Sequence, residues 1–256
     1  MLRQALRSFS TSGSPTSTST VYRGTAFERR AQNILQNHLS MSLRRVGGKS
    51  DGGVDLLGWW WLPPSGAFDI NMPRRRLRVL AQCKAEKKKI GPKFIREMEG
   101  VLHRYLSLST SSCSFDSCNQ KTHTSPVAQV LRCPVVALFI SESPYTRSAI
   151  LRAQSSPVPL FLLHIPPESS ISDSSATEGS YDERIGSAVW NPALAGARGL
   201  LSGEIDIRWE RDIRGSGRPG MWWRNQKLAN WNSEVDESEM GSPDLEQENV
   251  LLEELA

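Results

Sequence analysis

Apolar positions recur along the first part of this chain with two different periods. In GTAFERRAQNILQNHLS (24–40), Phe27, Ala31, Ile34, Leu35 and Leu39 share one face at helical spacing, which predicts an amphipathic helix. Thr25 and Glu28 stand three apart at its start and read as a capping box. Glu28 lies on the edge of the apolar stripe, so its carboxylate can also point into the domain. Three short segments then read as strands: MSLRRVGG (41–48), VDLLGWWWL (54–62), stopped by Pro63 and Pro64, and RLRVLAQCK (76–84). Behind the Gly91-Pro92 break, Phe94, Met98, Val101, Leu102 and Tyr105 return to helical spacing. The pattern is a β-meander feeding a helix.

Farther on, CPVVALFISE (133–142) and VPLFLLHI (158–165) are continuous apolar runs, as strands buried on both faces require. Between them PYTRSAILRAQ reads as a short helix, so the three predict a right-handed parallel βαβ crossover. Segments around Trp190, Trp209 and GMWWRNQKLANW finish the fold. Two Ser/Thr-rich stretches, near 107–126 and 166–180, predict surface insertions. The expectation is an α/β domain over residues 21–231, with a central mixed β-sheet flanked by helices.

Charge adds the ends of the chain to this picture. Residues 232–256 hold nine acids and no Lys or Arg, which predicts an acidic disordered tail. The remaining 231 residues carry 31 basic against 18 acidic side chains. A basic body suits a polyanionic partner, and an acidic tail can screen its binding surface. At the other end, Arg3, Arg7 and Arg23 stand among many Ser and Thr, with no acid before Glu28. Leu2, Leu6 and Phe9 can share one helical face there, and together these features predict a mitochondrial transit peptide over residues 1–20. No apolar run approaches the twenty or so residues a membrane span needs, so no span is expected. The spacing of Cys113, Cys118, His123 and Cys133 matches no common zinc knuckle.

Candidate chemistry gathers at the meander. The turn GGKSDGGVDL places Asp55 at the mouth of one strand, and AQCK ends the next on Gln82 and Lys84. Residues two apart on a strand share a face, so Gln82 and Lys84 point one way and Cys83 the other. If the strands are antiparallel neighbours, Asp55 lies beside Lys84. A carboxylate and a carbonyl oxygen can hold a hard divalent cation. The ammonium can stabilise charge on a reacting phosphate. An ordinary Asp55–Lys84 ion pair would use the same residues. Asp51 reads as a turn-stabilising side chain. Lys87, Lys88, Lys89, Lys93 and Arg96 follow closely and offer phosphate-backbone contacts or a solvated face. Trp59 and Trp61 should face away from Trp60, with packing favoured over base stacking. His38, His103 and His164 lie in or beside apolar stretches and read as structural.

The turn and the Gln-x-Lys strand end together resemble the PD-(D/E)xK nuclease superfamily, in particular its Mrr-like restriction endonuclease branch. Gly47, Asp51, Gly53, Asp55, Leu56, Gln82, Cys83 and Lys84 carry the resemblance, and FISESPYTRSAILRAQ is similar to that branch's later strand and helix. The likeness covers about residues 21–165. With its presequence and Trp-rich end, the chain also resembles the fungal family named required for respiratory growth protein 7, mitochondrial. The resemblance implies a restriction-endonuclease-like core and a catalytic set of Asp55, Gln82, Lys84 and the helix acid Glu28. It implies magnesium or manganese held by Asp55, Gln82 and the backbone carbonyl of Cys83, with nucleic acid as partner and DNA ahead of RNA. Gln82 stands where most of the superfamily has an acid, as in the Mrr-like branch.

Overall fold

The computed structural model describes residues 20–46, 52–64, 74–111, 134–167, 185–211 and 217–231. Helix α1 (Thr20–Leu39) leads into β1 (Met41–Arg45), β2 (Leu56–Leu62) and β3 (Arg75–Lys84), and then α2 (Pro92–Ser111). There follow β4 (Val135–Ser141), α3 (Arg147–Gln154), β5 (Leu160–His164), β6 (Ser187–Trp190) and the single turn α4 (Pro192–Ala195). The strands β7 (Ile205–Arg211), β8 (Gly217–Trp223) and β9 (Gln226–Lys227) end the described chain.

The main sheet has six strands in sequence order, β1 through β6. The meander β1-β2-β3 is antiparallel, β3, β4 and β5 run parallel, and β6 turns back antiparallel on β5. β4, α3 and β5 thus form the parallel crossover that the two apolar runs predicted. β7, β8 and β9 make a separate antiparallel sheet.

Each face of the main sheet has its own core. On one, Phe27, Ala31, Ile34 and Leu35 of α1 pack against Leu56, Trp60, Val79, Ala81 and Cys83, joined by Ile205, Met221 and Trp223 of the small sheet. On the other, Ile95, Met98 and Leu102 of α2 cover Leu57, Leu80, Ala137 and Phe139. Every residue of β4 is buried, as its unbroken apolar run required.

One buried polar side chain ties the second half together. Asn191 donates from Nδ2 to the carbonyls of Ala153, Ser156 and Val158, and accepts at Oδ1 from the Leu160 and Leu194 N–H groups. It therefore caps α4 and fixes the loop between α3 and β5.

Two boundaries differ from the sequence reading, and the small C-terminal sheet is new to it. α1 begins at Thr20, so Thr25 lies inside the helix and the expected capping box does not form. Gly24 lies within the helix as well, where a glycine costs only about 1 kcal/mol and is tolerated. α2 continues to Ser111, five residues into the stretch expected as an insertion near 107–126. The C-terminal segments form a sheet of their own. All but the last residue of the expected transit peptide, the cysteines Cys113, Cys118 and Cys133 with His123, most of both expected insertions and the expected acidic tail lie outside the described residues. Among the described residues, no helix is long and apolar enough to cross a membrane.

Candidate active site at the end of the meander

A turn through Gly52 (φ 56°) and Gly53 (φ 84°) brings the chain into β2. These left-handed conformations favour glycine. Gly53 also needs the space, because a Cβ there would lie 3.3 Å from Gln82 Nε2 and 3.4 Å from Val101 Cγ2. The turn can thus close directly over Gln82. Val54 follows, fully buried against the α2 side, and sets the next residue at the strand mouth.

Asp55 ties the meander's open end. Its N–H donates to the Ala81 carbonyl (2.8 Å) and its carbonyl accepts from Val46 N–H (2.9 Å). Its Oδ2 accepts from the backbone N–H of Cys83 at 2.6 Å. The carboxylate therefore reaches the Gln82-Cys83-Lys84 strand end on the neighbouring strand.

Along β3, Val79, Ala81 and Cys83 belong to the α1 face, whereas Gln82 turns to the α2 face beside Gly53 and Val101. Strand alternation puts Lys84 on the same side as Gln82. Gln82 is buried, and its Oε1 has no hydrogen-bond partner among the described residues. Lys84 is half-buried, and its carbonyl accepts from Glu142 N–H (3.0 Å) on the β4 side. The same alternation aims the Cys83 carbonyl toward the β2 side, where β2 has not yet begun.

Glu28 stands across the sheet on α1, and its Oε2 accepts from Arg45 Nε (2.8 Å) and pairs with Arg45 Nη2 (2.6 Å). Burial pushes the Cys83 thiol pKa well up; the Asp55 and Glu28 charges add to this, and Arg45 and Lys84 oppose it. Side chains from α1, β1, the mouth of β2 and the end of β3 thus meet electrostatically around one thiol. Glu28 is nevertheless committed to Arg45, on the opposite face from Gln82.

The donor chemistry fits a hard cation in one respect and limits it in another. The orphaned buried oxygen of Gln82 lies one residue before the N–H that holds Asp55. With Asp55 and the Cys83 carbonyl it would make an all-oxygen donor set of the kind magnesium and manganese take. Among the described residues, however, no three His, Cys, Asp or Glu side chains are grouped to hold a metal. The set offers one carboxylate and two neutral oxygens.

Lys87, Lys88, Lys89, Lys93 and Arg96 are all exposed, and Lys93 pairs with Glu97 one helical turn on (3.5 Å). Gly47 and Asp51 lie outside the described residues. The tryptophans divide as alternation requires. Trp60 is fully buried, stacked with Phe161 at 6.0 Å between centroids and tilted against Trp190. Trp61 meets Trp231 edge-on and donates to Ser42 Oγ (3.1 Å). Trp59 lies under the guanidinium groups of Arg76 (4.3 Å) and Arg78 (4.5 Å). His103 is exposed, and His164 ends β5 half-buried.

Sequence reasoning missed Arg45, Arg23 and Glu142. Arg45 was visible as a strand residue, but the β1–β2 register opposite Leu56, which aims it at Glu28, was not. Arg23 and Glu142 pair with each other across 119 positions, a separation at which no local pattern signals a contact.

Comparison with known proteins gives this arrangement a context. The family model described as Required for respiratory growth protein 7 matches residues 19–76 and 66–135, a span that includes Glu28, Asp55, Gln82 and Lys84. An uncharacterized mitochondrial protein of Schizosaccharomyces pombe is 42% identical over 113 residues, 42% of each chain. The Required for respiratory growth protein 7, mitochondrial, of Candida glabrata is 33% identical over 129 residues, 38% of this chain and 50% of that protein. Its namesake in Saccharomyces cerevisiae is 32% identical over 124 residues, 36% of this chain and 51% of that protein. The chain spans about half, or less, of the length of these curated relatives. It resembles the respiratory-growth family, and the mitochondrial names of the relatives support the localisation read from its N-terminus. No solved structure gives a significant match.

Proposed function

We propose that the chain serves respiratory growth as a metal-dependent nuclease-like protein acting on mitochondrial nucleic acid. The observation that carries this reading is the end of the meander. There the Asp55 carboxylate holds the Cys83 N–H, the preceding Gln82 keeps a buried oxygen that has no partner among the described residues, and Lys84 is next in line. The resemblance of the turn and the Gln-x-Lys strand end to the PD-(D/E)xK superfamily adds to it.

Asp55, Gln82 Oε1 and the Cys83 carbonyl would hold magnesium or manganese. Such an ion polarises a phosphoryl oxygen and makes water more acidic. Lys84 faces the developing negative charge on the phosphate and stabilises it. The exposed Lys87, Lys88, Lys89, Lys93 and Arg96 supply sequence-independent backbone contacts, and hence binding that weakens steeply with salt. With one carboxylate in the set, magnesium is held weakly, so manganese should support the higher rate. The purified protein should cut DNA or RNA when either ion is added and stop when chelator is added. Absence of metal-dependent cleavage on both polymers would contradict the catalytic reading.

The Glu28–Arg45 pair favours a second reading. With the helix acid engaged by Arg45, the fold would serve as a non-catalytic nucleic-acid-binding or interaction factor in mitochondrial maintenance. Expression in a respiration-deficient strain separates the two. Asp55→Ala and Lys84→Ala at normal abundance fail to rescue if the protein is an enzyme, and rescue if it is a binding factor.

A further inference from the structure

Beyond the meander site, the carboxyl ends of the parallel strands open onto two adjoining cavities. One, of about 440 Å³, is bordered by Lys87, His164 and Pro166, and the other, of about 350 Å³, by Phe27 and Arg30 on α1. Arg23, Glu142 and Pro167 line both. The Arg23–Glu142 ion pair, with Pro167, therefore stands where the two cavities adjoin. Each volume is of the size that takes a small organic group. Lys87, at one end of the track, is the first of the lysines that follow Lys84. In open parallel sheets ligands bind outside the carboxyl ends of the strands.

Glu142 and Arg23 differ in how firmly each is placed. The Glu142 side chain is 12% exposed and extends from the end of β4, whereas that of Arg23 is 37% exposed on a long flexible stem. Arg23, the partner more open to solvent, can leave the pair while Glu142 stays in place. An incoming phosphate offers the guanidinium a bidentate, charge-assisted contact. A carboxylate on Arg23 thus stands where a phosphate would bind.

We infer that this track is a strand-binding groove for nucleic acid, with Glu142 holding Arg23 as an internal stand-in for a backbone phosphate. The inference rests on the nucleic-acid reading above and names the residues that extend the site past Lys84. When a strand enters, Arg23 exchanges Glu142 for a phosphodiester, the two cavities join, and Lys87 takes a neighbouring phosphate. Pro166 and Pro167 give the groove an apolar wall for a sugar or base.

The test is binding of a fluorescent single-stranded deoxyoligonucleotide to the full chain, in chelator so that nothing is cut, over a range of salt concentrations. Glu142→Gln releases Arg23, so it should bind about two- to fivefold more tightly. The slope of log affinity against log salt should steepen by about 0.7, the increment for one phosphate contact on a single strand. Arg23→Ala should weaken binding and flatten the slope by about 0.7. Opposite changes from the two ends of one ion pair cannot both come from misfolding. In the Arg23→Ala background, Glu142→Gln should gain nothing. Wild-type affinity and slope in both single variants, or a Glu142→Gln gain that persists without Arg23, would overturn the groove while leaving nucleic-acid binding intact. A wild-type chain without salt-sensitive binding would overturn both readings together.

Discussion

A buried amide oxygen left without a hydrogen bond costs about 1–3 kcal/mol, so the Oε1 of Gln82, unpartnered among the described residues, sets its side of β3 apart from the apolar side that carries Val79 and Ala81. Asp55, Gln82 and Lys84 were legible in the sequence because strand alternation and a glycine turn are local rules. The Glu28–Arg45 and Arg23–Glu142 pairs were not, because each depends on how an element packs. Asn191 shows the same limit. No local pattern marks it, yet it satisfies groups from α3, β5 and α4. Asn191→Ala orphans several buried backbone groups at once and should cost about 2–4 kcal/mol in a chemical denaturation experiment; a loss below about 1 kcal/mol would mean that other groups take over its bonds. His164 offers a test by pH. Burial lowers its pKa from the ordinary 6.5, while a hydrogen bond to the Glu142 backbone works the other way. The unfolded chain then binds the proton more readily. Its contribution to stability is complete above pH 6.5 and is lost as the pH falls through the lower folded value. The urea midpoint should drop across that window, and His164→Gln should flatten part of the drop.

At the scale of elements, burial on both faces made β4 and β5 easy to read, since an unbroken apolar run of strand length belongs in the middle of a covered sheet. β6 gave no such signal because all four of its residues are half-buried. The small sheet was hidden for a related reason. Glycines and charged residues interrupt its strands, and it acquires an apolar face only where Ile205, Met221 and Trp223 meet the α1 core. The β1–β2 register depends on one residue whose importance is invisible in sequence. A Cβ on Gly58 would lie 2.1 Å from the Ser42 carbonyl oxygen and 2.8 Å from Leu43 Cα. Backbone cannot yield as a side chain does, so Gly58→Ala must push β1 off β2. A loss of about 1–3 kcal/mol or more is expected from denaturant unfolding. Because β1 carries Arg45, the variant should also disturb the Glu28 pair. Unchanged stability would show that β1 is free to move.

Over the whole molecule, α1 and the small sheet cover one face, α2 and α3 the other, and the candidate chemistry lies where the β2–β3 hairpin opens toward the ends of the parallel strands. The mixed sheet flanked by helices followed from periodicity alone. The split of the site did not, with Glu28 on one face and Gln82 on the other, since it requires knowing which helix covers which face. The excess of basic residues in the body gives a general reason to bind a polyanion. Whether the chain also cuts one depends on a few oxygens and one ammonium. The most direct measurement follows cleavage and binding side by side, in wild-type protein and in Asp55→Ala and Lys84→Ala, with manganese present. The account predicts that both variants lose cleavage by at least about a hundredfold while keeping most of their salt-sensitive binding, which the Lys87, Lys88 and Lys89 cluster maintains. Cleavage that survives both substitutions would contradict it.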